Sequence, residues 1–311
     1  MKQITYVKMR LIILIVVLAI IVSACTSGME SRDDDAFVLG FIPSERASEL
    51  TPKAEDLASF LEQEMGVDVE VVVPTSYEPL MEGIRFGHID ASYMDSGPAW
   101  LAHSNAGAEV VLAELNDNRS YYYGEVFVRE DSEIGSLDDL PGKRMGFTSW
   151  TGSSGFILPM GEMINRGLIE VEGDDISDLE RAMQEQFESY NIGGGYSQAL
   201  NLLVDGNVDA AAGAHDAPER FLEPEQREDI RTLERLGRVP SHPIVASQDL
   251  DEELKDDFVE AMLLLNEPEN VHLLEEIYGV EGLEETDTET HLGDFGPAFE
   301  ALVGIRDQVM G

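Results

Sequence analysis

Short apolar strands alternate with amphipathic helices along most of this chain, and that alternation restricts its fold more than any other feature. Residues 36–44 (AFVLGFIPS) and 67–75 (VDVEVVVPT) have strand patterns, and residues 48–66 between them carry apolar side chains at helical spacing, namely Leu57, Phe60, Leu61 and Met65. A helix pattern at 77–87 and a short strand pattern at 89–95 follow. This order predicts an α/β fold with a mostly parallel sheet and helices on both faces.

A second α/β unit begins near residue 128. Residues 187–216 read as strand, glycine-rich turn, helix and strand, and residues 231–247 lead out of the unit. From residue 251 onward the pattern is mostly helical. Two such units favour a two-lobed clamshell in which a ligand lies in the crevice at the carboxyl ends of the strands.

The first 25 residues have the pattern of an export signal. Lys2, Lys8 and Arg10 precede an apolar run at 11–22, and the small residues before Cys25 resemble a bacterial lipobox. We therefore expect Cys25 to become the lipidated first residue of an extracytoplasmic protein that is anchored to the membrane. As the single cysteine of the chain, Cys25 leaves no partner for an intramolecular disulfide.

These patterns together predict the division of the chain. The predicted segments are a signal peptide at 1–25, a flexible tether at 26–36, a first lobe at 37–127, a second lobe at 128–240, and a return to the first lobe with C-terminal helices at 241–311.

The chain is strongly acidic. It has 62 Asp and Glu residues against 20 Lys and Arg, a formal net charge of −42, and the leader holds three of the basic residues and no acidic one. Nucleic acid is therefore excluded as a partner, because its phosphates require a basic surface. The acids are spread over helical, solvent-facing segments, which indicates a solvated acidic shell and leads us to the hypothesis of a salt-adapted, halophilic organism.

One short segment has the features of an anion site. In TGSSGF (151–156), Gly152 and Gly155 flank Ser153 and Ser154 at the expected start of a helix. Two hydroxyls and the amides of a helix N-terminus can hold an anion without a lysine. A serine at a helix start is also a common N-cap, so both interpretations stay open.

A second glycine-rich turn, IGGGYSQAL (192–200), matches neither the phosphate loop of nucleotide-binding proteins nor the dinucleotide-binding fingerprint. An ordinary strand-to-helix connection is the favoured interpretation there. Aromatic residues at turn-like places suit the walls of a small-ligand cleft; they are Tyr77, Trp100, Tyr121, Tyr122, Tyr123 and Trp150.

Little in the chain indicates catalysis or a metal site. The six histidines form no H-E-x-x-H motif, there is no G-x-S-x-G elbow, and no cysteine is suited to act as a nucleophile. We therefore expect no enzyme activity, no cofactor and no metal. Among the histidine segments, His215 with Asp216, and His242, are the better site candidates because they follow strand patterns.

Several segments in order resemble the phosphonate-binding, PhnD-like periplasmic proteins of ABC transporters. They are TSYEPLMEGIRFGHIDASYMDSGPAW, VREDSEIGSLDDLPGKRMGFTSWTGSSGFILP, VDAAAGAHDAPER and VPSHPIVAS, and together they span roughly residues 37–250. The resemblance implies a type II binding-protein fold, in which two α/β lobes are joined by two crossover strands.

The resemblance also implies site residues. The family's S-T-S element, which holds the phosphonate oxygens, falls on Gly152, Ser153 and Ser154, so its first hydroxyl is missing here. Two cleft tyrosines of the family correspond to Tyr77 and Tyr122, with Tyr121 or Tyr123 as the alternative if the register slips.

Other positions depart from the family. A phosphonate-contacting histidine aligns with Gly195, and two acids that hold a ligand amine align with Asp216 and His242. Of these two acidic positions, Asp216 keeps its carboxylate and His242 does not. A phosphorus oxyanion is then a better expected ligand than an aminoalkylphosphonate, and His242 is a candidate to replace the donor lost at Gly195.

The function that the resemblance implies is that of a lipid-anchored receptor. It would capture a phosphonate or a related phosphorus oxyanion, such as phosphate or phosphite, and deliver it to an ABC permease and its ATPase. Two alternatives remain: the same fold with a different small anion or metabolite, and a receptor that presents its ligand to a membrane sensor.

The acidic shell generates a first prediction. Because salt screens the repulsion among the carboxylates, the free energy of unfolding should rise steeply with NaCl concentration. Urea unfolding from about 0.1 to 3 M NaCl measures this, given a Debye length of about 10 Å at 0.1 M and about 3 Å at 1 M. Full stability at the lowest salt concentration would contradict the salt-adaptation hypothesis.

Overall fold

Two β-sheets with their own helices organise this chain. The structure, a computed structural model, describes residues 36–42, 47–74 and 76–306. The strands in these residues are β1 (Phe37–Gly40), β2 (Val69–Val72), β3 (Ala91–Tyr93), β4 (Glu109–Leu115), β5 (Tyr121–Arg129), β6 (Arg144–Phe147), β7 (Ser189–Ile192), β8 (Ala210–Ala214), β9 (Ile230–Pro240), β10 (Pro243–Ala246) and β11 (Gly282–Glu285). The signal segment and Cys25 lie outside the described residues.

The α-helices lie between the strands, as the alternating pattern predicts, and continue after β10. They are α1 (Ala47–Met65), α2 (Tyr77–Arg85), α3 (Ser96–Ala106), α4 (Leu158–Asn165), α5 (Ile176–Gln186), α6 (Gly195–Val204), α7 (Ala217–Phe221), α8 (Pro224–Arg227), α9 (Glu252–Leu263), α10 (His272–Tyr278), α11 (Thr288–Leu292) and α12 (Gly296–Glu300). Within the described ranges, none of these helices has both the length and the apolar run needed to cross a bilayer.

The first sheet has six strands in the order β11-β4-β10-β3-β1-β2. β1 pairs in parallel with β2 and β3, whereas β10 runs antiparallel to β3 and β4, and β11 runs antiparallel to β4. Helices cover the sheet through buried aromatic contacts; for example, the ring of Phe37 on β1 stacks on Phe258 of α9 with centroids 4.8 Å apart. The late strands β10 and β11 therefore return the chain to the sheet in which it began.

The second sheet has five strands in the order β7-β6-β8-β5-β9. β6 is parallel to β7 and β8, and β5 is antiparallel to β8 and β9. The sequence pattern predicts a strand from Glu125, but β5 begins at Tyr121, because its first residues pair with the end of β9 (Tyr121 with Pro240, Tyr122 with Val239). This early start carries the three consecutive tyrosines into the sheet.

The chain crosses between the two sheets twice. Residues 116–120 connect β4 to β5, and Ser241 and His242 connect β9 to β10. The Ser241 hydroxyl lies 2.6 Å from the carbonyl oxygen of Glu114 and 2.8 Å from that of Ser120, so one side chain ties both ends of the first crossover to the second. The predicted two-lobed α/β clamshell with two crossover strands is confirmed.

The C-terminal helices contact the second sheet's helices as well. Gly161 on α4 lies against the backbone of Ala298 on α12, so closely that a Cβ added at Gly161 would collide with the Ala298 carbonyl group. This contact holds α4, which follows the TGSSGF segment, against the end of the chain.

We predict that Gly161→Ala destabilises the protein by about 1–3 kcal/mol, because an extra methyl group in a closed contact forces backbone apart. Urea unfolding in high salt measures the change. Gly135→Ala is the matched control, since the nearest atom to a Cβ there is Asp139 Oδ2 at 3.6 Å. Equal stability of the two variants would show that the α4–α12 contact accommodates the extra methyl group without loss of stability.

Candidate functional site

A cavity of about 710 Å³ lies between the two sheets, next to both crossovers. Its wall includes five of the residues that the sequence predicts for the site: Tyr122, Gly152, Ser153, Asp216 and His242. Two others, Tyr77 and Ser154, meet the wall through hydrogen bonds to Asp95 and Tyr196. Most of the predicted residues are thus brought together from positions far apart in the chain.

The TGSSGF segment surrounds the side chain of Thr148, which follows β6. Cβ atoms added at Gly152 and Gly155 would both collide with the Thr148 hydroxyl, so only glycine allows the chain to turn this tightly. The turn leads into a π-helix, Ser153–Ile157, which continues into α4. Gly152 precedes this helix and no side chain caps it. The two serine hydroxyls are therefore not N-caps.

The second glycine-rich turn connects β7 to α6. Gly193, Gly194 and Gly195 have φ angles of 129°, 73° and 68°, which an L side chain adopts with strain. The Gly195 N–H donates to the carbonyl oxygen of Thr148 at 3.2 Å. The turn is thus a strand-to-helix connection, as the sequence favours, and it places the next residue, Tyr196, in the cavity wall.

The three consecutive tyrosines alternate between the two faces of β5. Tyr122 lines the cavity, whereas the guanidinium groups of Arg238 and Arg235 lie over the rings of Tyr121 and Tyr123, at 4.2 and 4.3 Å from the ring centroids. Successive side chains of a strand point to opposite faces. A shift of one residue in the pairing of β5 with β9 would therefore change which tyrosine faces the cavity. Tyr122 is the tyrosine of the three that faces the cavity.

The hydroxyls of Ser154, Tyr196 and Tyr122 form a cluster at the second sheet. Ser154 is fully buried, and its Oγ lies 2.7 Å from the Tyr196 hydroxyl. Burial raises the pKa of Tyr122 well above 10.0, the adjacent Tyr196 raises it further, and a hydrogen bond with Ser154 opposes these effects in part. Tyr122 therefore keeps its proton near neutral pH and remains a hydrogen-bond donor.

The opposite wall holds a chain of charged groups. His242 Nε2 is 3.0 Å from Asp95 Oδ1, and His242 Nδ1 is 2.9 Å from Glu114 Oε2. Tyr77 donates its hydroxyl proton to Asp95 Oδ2 at 2.6 Å. Both ring nitrogens of His242 are thus engaged by carboxylates, and the Glu114 side chain is only 3% exposed.

This arrangement changes the protonation of its members. Burial by itself lowers the pKa of His242, but the hydrogen bonds and charges of Asp95 and Glu114 outweigh burial and raise that pKa well above 6.5. Burial raises the pKa of Asp95, while the hydrogen bond and charge of His242 and the hydrogen bond from Tyr77 lower it overall. The pairing therefore favours the protonated, imidazolium form of His242.

Asp216, at the end of β8, is also paired. Its Oδ2 lies 3.3 Å from Nη1 of Arg220, one turn later along the chain, and both residues line the cavity. The sequence reasoning missed Arg220, although its spacing of four residues from Asp216 is typical of a helical ion pair. It also missed Asp95, Glu114 and Tyr196. The position of Asp95 at the end of the strand pattern 89–95 could have identified it as a site candidate. No sequence feature identifies Glu114, because a glutamate near a strand end is unremarkable in so acidic a chain.

The remaining candidates lie elsewhere. His215 Nδ1 accepts from the Tyr123 N–H at 3.4 Å, on the face of β5 away from the cavity. Trp100 Nε1 donates to Glu300 at 3.2 Å, and Trp150 packs edge-on against Phe156 with centroids 4.9 Å apart. In the described part of the chain, no group of three or more His, Cys, Asp or Glu side chains is arranged to hold a metal ion.

Known proteins similar to this chain include two sequence relatives and a solved structure. The phosphate-import protein PhnD of Mycolicibacterium smegmatis is 27% identical over 205 residues, which cover 62% of this chain and 61% of that protein. The phosphonates-binding periplasmic protein of Escherichia coli is 23% identical over 232 residues, covering 72% and 64%. The chain thus matches less than two thirds of the length of either relative. A solved structure of a Xanthomonas citri protein bound to ATP has a TM-score of 0.70 at 21% identity and covers 89% of this chain and 100% of that one, which shows a shared fold.

The family comparison covers more of the chain. The family described as the phosphonate periplasmic substrate-binding protein of ABC transporters matches residues 39–291, well over half of the sequence. This chain therefore belongs to the family of phosphonate periplasmic substrate-binding proteins of ABC transporters.

Proposed function

We propose that this protein captures a small phosphorus oxyanion, namely phosphate, phosphite or a phosphonate with an uncharged substituent, for an ABC importer. The single observation that carries the proposal is the TGSSGF turn, which lies on the cavity wall at the start of a helix with its hydroxyls not used as caps. Such a turn offers hydroxyl and amide donors to the oxygens of an anion.

Neutral hydrogen-bond donors dominate the cavity wall on the side of the second sheet. Ser149, Thr151, Ser153, Tyr122 and Tyr196 all line it. Hydrogen bonds from neutral donors to an ionised ligand contribute about 1.5–3 kcal/mol each, so four to six of them support micromolar binding after the cost of association. Arg220 adds a guanidinium group at the same cavity.

Three of the five carboxylates that line the cavity are each paired with a resident cation, which disfavours an ammonium-bearing ligand at those three positions. Asp216 is paired with Arg220, and Asp95 and Glu114 share His242. An aminoalkylphosphonate would have to displace a cation to bring its amine to any of these three, so the cavity carboxylates left to it are Asp117 and Glu281 beside the first crossover. We therefore expect 2-aminoethylphosphonate to bind more weakly than methylphosphonate.

The transport role rests on the family. The two relatives are named for phosphate import and for phosphonate binding, and we extend that chemistry to this chain as part of the proposal. Delivery of the ligand to a permease and its ATPase, and anchoring through a lipid on Cys25, complete the proposed role. We assign no chemical turnover to the protein.

The volume of the cavity favours a second candidate, a larger anionic metabolite. About 710 Å³ is much more than an inorganic phosphate fills, since one water has a share of about 30 Å³ in the liquid. The Xanthomonas citri protein of the same fold is bound to ATP, a larger phosphorus-containing ligand. A receptor that presents its ligand to a membrane sensor would use the same site.

Calorimetric titration in high salt tests the proposed ligand class. Phosphate, phosphite, methylphosphonate, 2-aminoethylphosphonate and ATP are titrated separately into the mature chain from residue 26. We predict micromolar or tighter binding to at least one of the first three, and a loss of about 10- to 100-fold in Ser153→Ala, because one charge-assisted hydrogen bond is removed. Ser59→Ala, on the exposed side of α1, is the matched control and should bind as the wild type does.

The outcomes of this titration separate the alternatives. Binding of ATP alone would favour the larger metabolite, and tighter binding of 2-aminoethylphosphonate than of methylphosphonate would contradict the argument from paired carboxylates. A folded, ligand-free protein that binds none of the five would overturn the proposed function.

The charge on His242 generates a prediction for pH. Because its pKa in the folded protein lies well above 6.5, the imidazolium is fully present below about pH 6.5 and is lost as pH rises through the raised value. Losing it leaves Asp95 and Glu114 without their shared cation and makes the cavity more repulsive to an anion. Affinity in the wild type should therefore fall as pH rises through that pKa.

His242→Gln isolates this effect from the titration of the ligand itself. The variant should bind the ligand on the order of tenfold more weakly at pH 6.5, and the difference from the wild type should disappear above the raised pKa. Calorimetry at several pH values measures the ratio of the two affinities, in which protonation of the ligand cancels. A ratio that does not change with pH would show that the charge of His242 does not act on the ligand.

A further inference from the structure

Tyr196 is a cavity residue that the family resemblance does not assign. It is the second residue of α6 and directly follows Gly195, the position at which the resemblance implies a missing histidine donor. Its side chain lines the cavity, and its hydroxyl lies 2.7 Å from Ser154 Oγ, 42 residues away in the sequence. A donor group is thus present beside the position that lacks one.

The Tyr196 ring is held in a defined place. A Cβ added at Gly213 on β8 would lie only 3.2 Å from Tyr196 Cδ1, so the glycine gives the ring the room it occupies. The ring of Phe221 lies on another side, with centroids 5.7 Å apart. A ring packed in this way presents its hydroxyl at one place without a further loss of side-chain freedom when a ligand binds.

His242, the candidate from the sequence for the missing donor role, already has partners at both ring nitrogens. Its two ring nitrogens lie 3.0 and 2.9 Å from the carboxylates of Asp95 and Glu114. A proton of His242 that turned to a ligand would leave one of these carboxylates without its hydrogen bond. The hydroxyl of Tyr196 carries no such obligation, because an oxygen that accepts one hydrogen bond still donates its own proton.

Ser154 has a different place in this pair. It is fully buried and is not part of the cavity wall, so its hydroxyl meets the hydroxyls of Tyr196 and Tyr122 and not the cavity. When Ser154 donates to the Tyr196 oxygen, the Tyr196 proton is directed away from Ser154 and toward the cavity.

We propose that Tyr196 donates its hydroxyl proton to the bound phosphorus oxyanion, in place of the donor absent at Gly195, and that Ser154 is the positioning residue that orients it. This inference rests on the proposed function and names a specificity-determining contact of the same site. It assigns direct contact in the TGSSGF turn to Ser153 and an indirect role to Ser154.

Tyr196→Phe tests the proposal, because it removes the hydroxyl and keeps the packed ring. We expect it to weaken binding of the ligand found by calorimetry, whether phosphate, phosphite or methylphosphonate, by about 10- to 100-fold. Tyr121→Phe is the matched control, since it removes a phenol from the face of β5 away from the cavity and should bind normally. Thermal unfolding without ligand should be similar in both variants, which separates lost contact from lost stability.

The positioning role has its own signature. Ser154→Ala should weaken binding less than Tyr196→Phe, and the double variant should be no weaker than Tyr196→Phe alone, because Ser154 acts through the hydroxyl already removed. Additive losses would overturn the positioning of Tyr196 by Ser154. Affinity of Tyr196→Phe within twofold of the wild type would overturn the donor role. If the wild type binds none of the ligands, the proposed function fails and this inference fails with it.

Discussion

The pairing of His242 with Asp95 and Glu114 is the interaction on which the cleft depends. Glu114 is the penultimate residue of β4, the last strand before the first crossover, His242 lies in the second crossover, and Asp95 directly precedes α3. Without a cation between them, two carboxylates in a chain of net charge −42 would repel each other at the joint of the two lobes. Since the buried Glu114 Oε1 has no hydrogen-bond partner in the described structure, the single bond to His242 carries the compensation for that carboxylate.

The two walls of the cavity follow from this pairing. On the side of the second sheet, neutral hydroxyls and backbone amides of the turn after β6 face the cavity, and on the other side Asp95 and Glu114 share the cation of His242. Binding by neutral donors suits a protein whose surface is acidic almost everywhere, because a lysine in the cleft would also attract the protein's own carboxylates. Arg220, which is paired with Asp216, illustrates that tendency.

The fold was predictable from the sequence because strand and helix periodicities are local. The apolar residues that form the buried faces of β1 and α1 can be recognised within a short stretch of sequence. Part of the candidate site was predictable: local patterns singled out Ser153 and His242, and the family resemblance added Tyr122 as a cleft tyrosine. What it missed depends on contacts over long separations: Glu114 and His242 are 128 residues apart, and Ser154 and Tyr196 are 42 apart. The register of Tyr122 required the pairing of β5 with β9, which no local pattern specifies.

The site and the joint between the lobes share residues, and this has a physical consequence. Ser241, which ties the two crossovers, directly precedes His242, and both line the cavity. A ligand that interacts with the charge on His242 therefore acts on the segment through which the lobes are connected. In a two-lobed protein, binding energy that reaches the connection biases the relative position of the lobes, because a ligand shifts a conformational equilibrium only by its differential contacts with the two states. In the proposed binding mode, the hydroxyls of the second sheet hold the anion on one side, and the charge on His242 carries its effect to the crossover on the other.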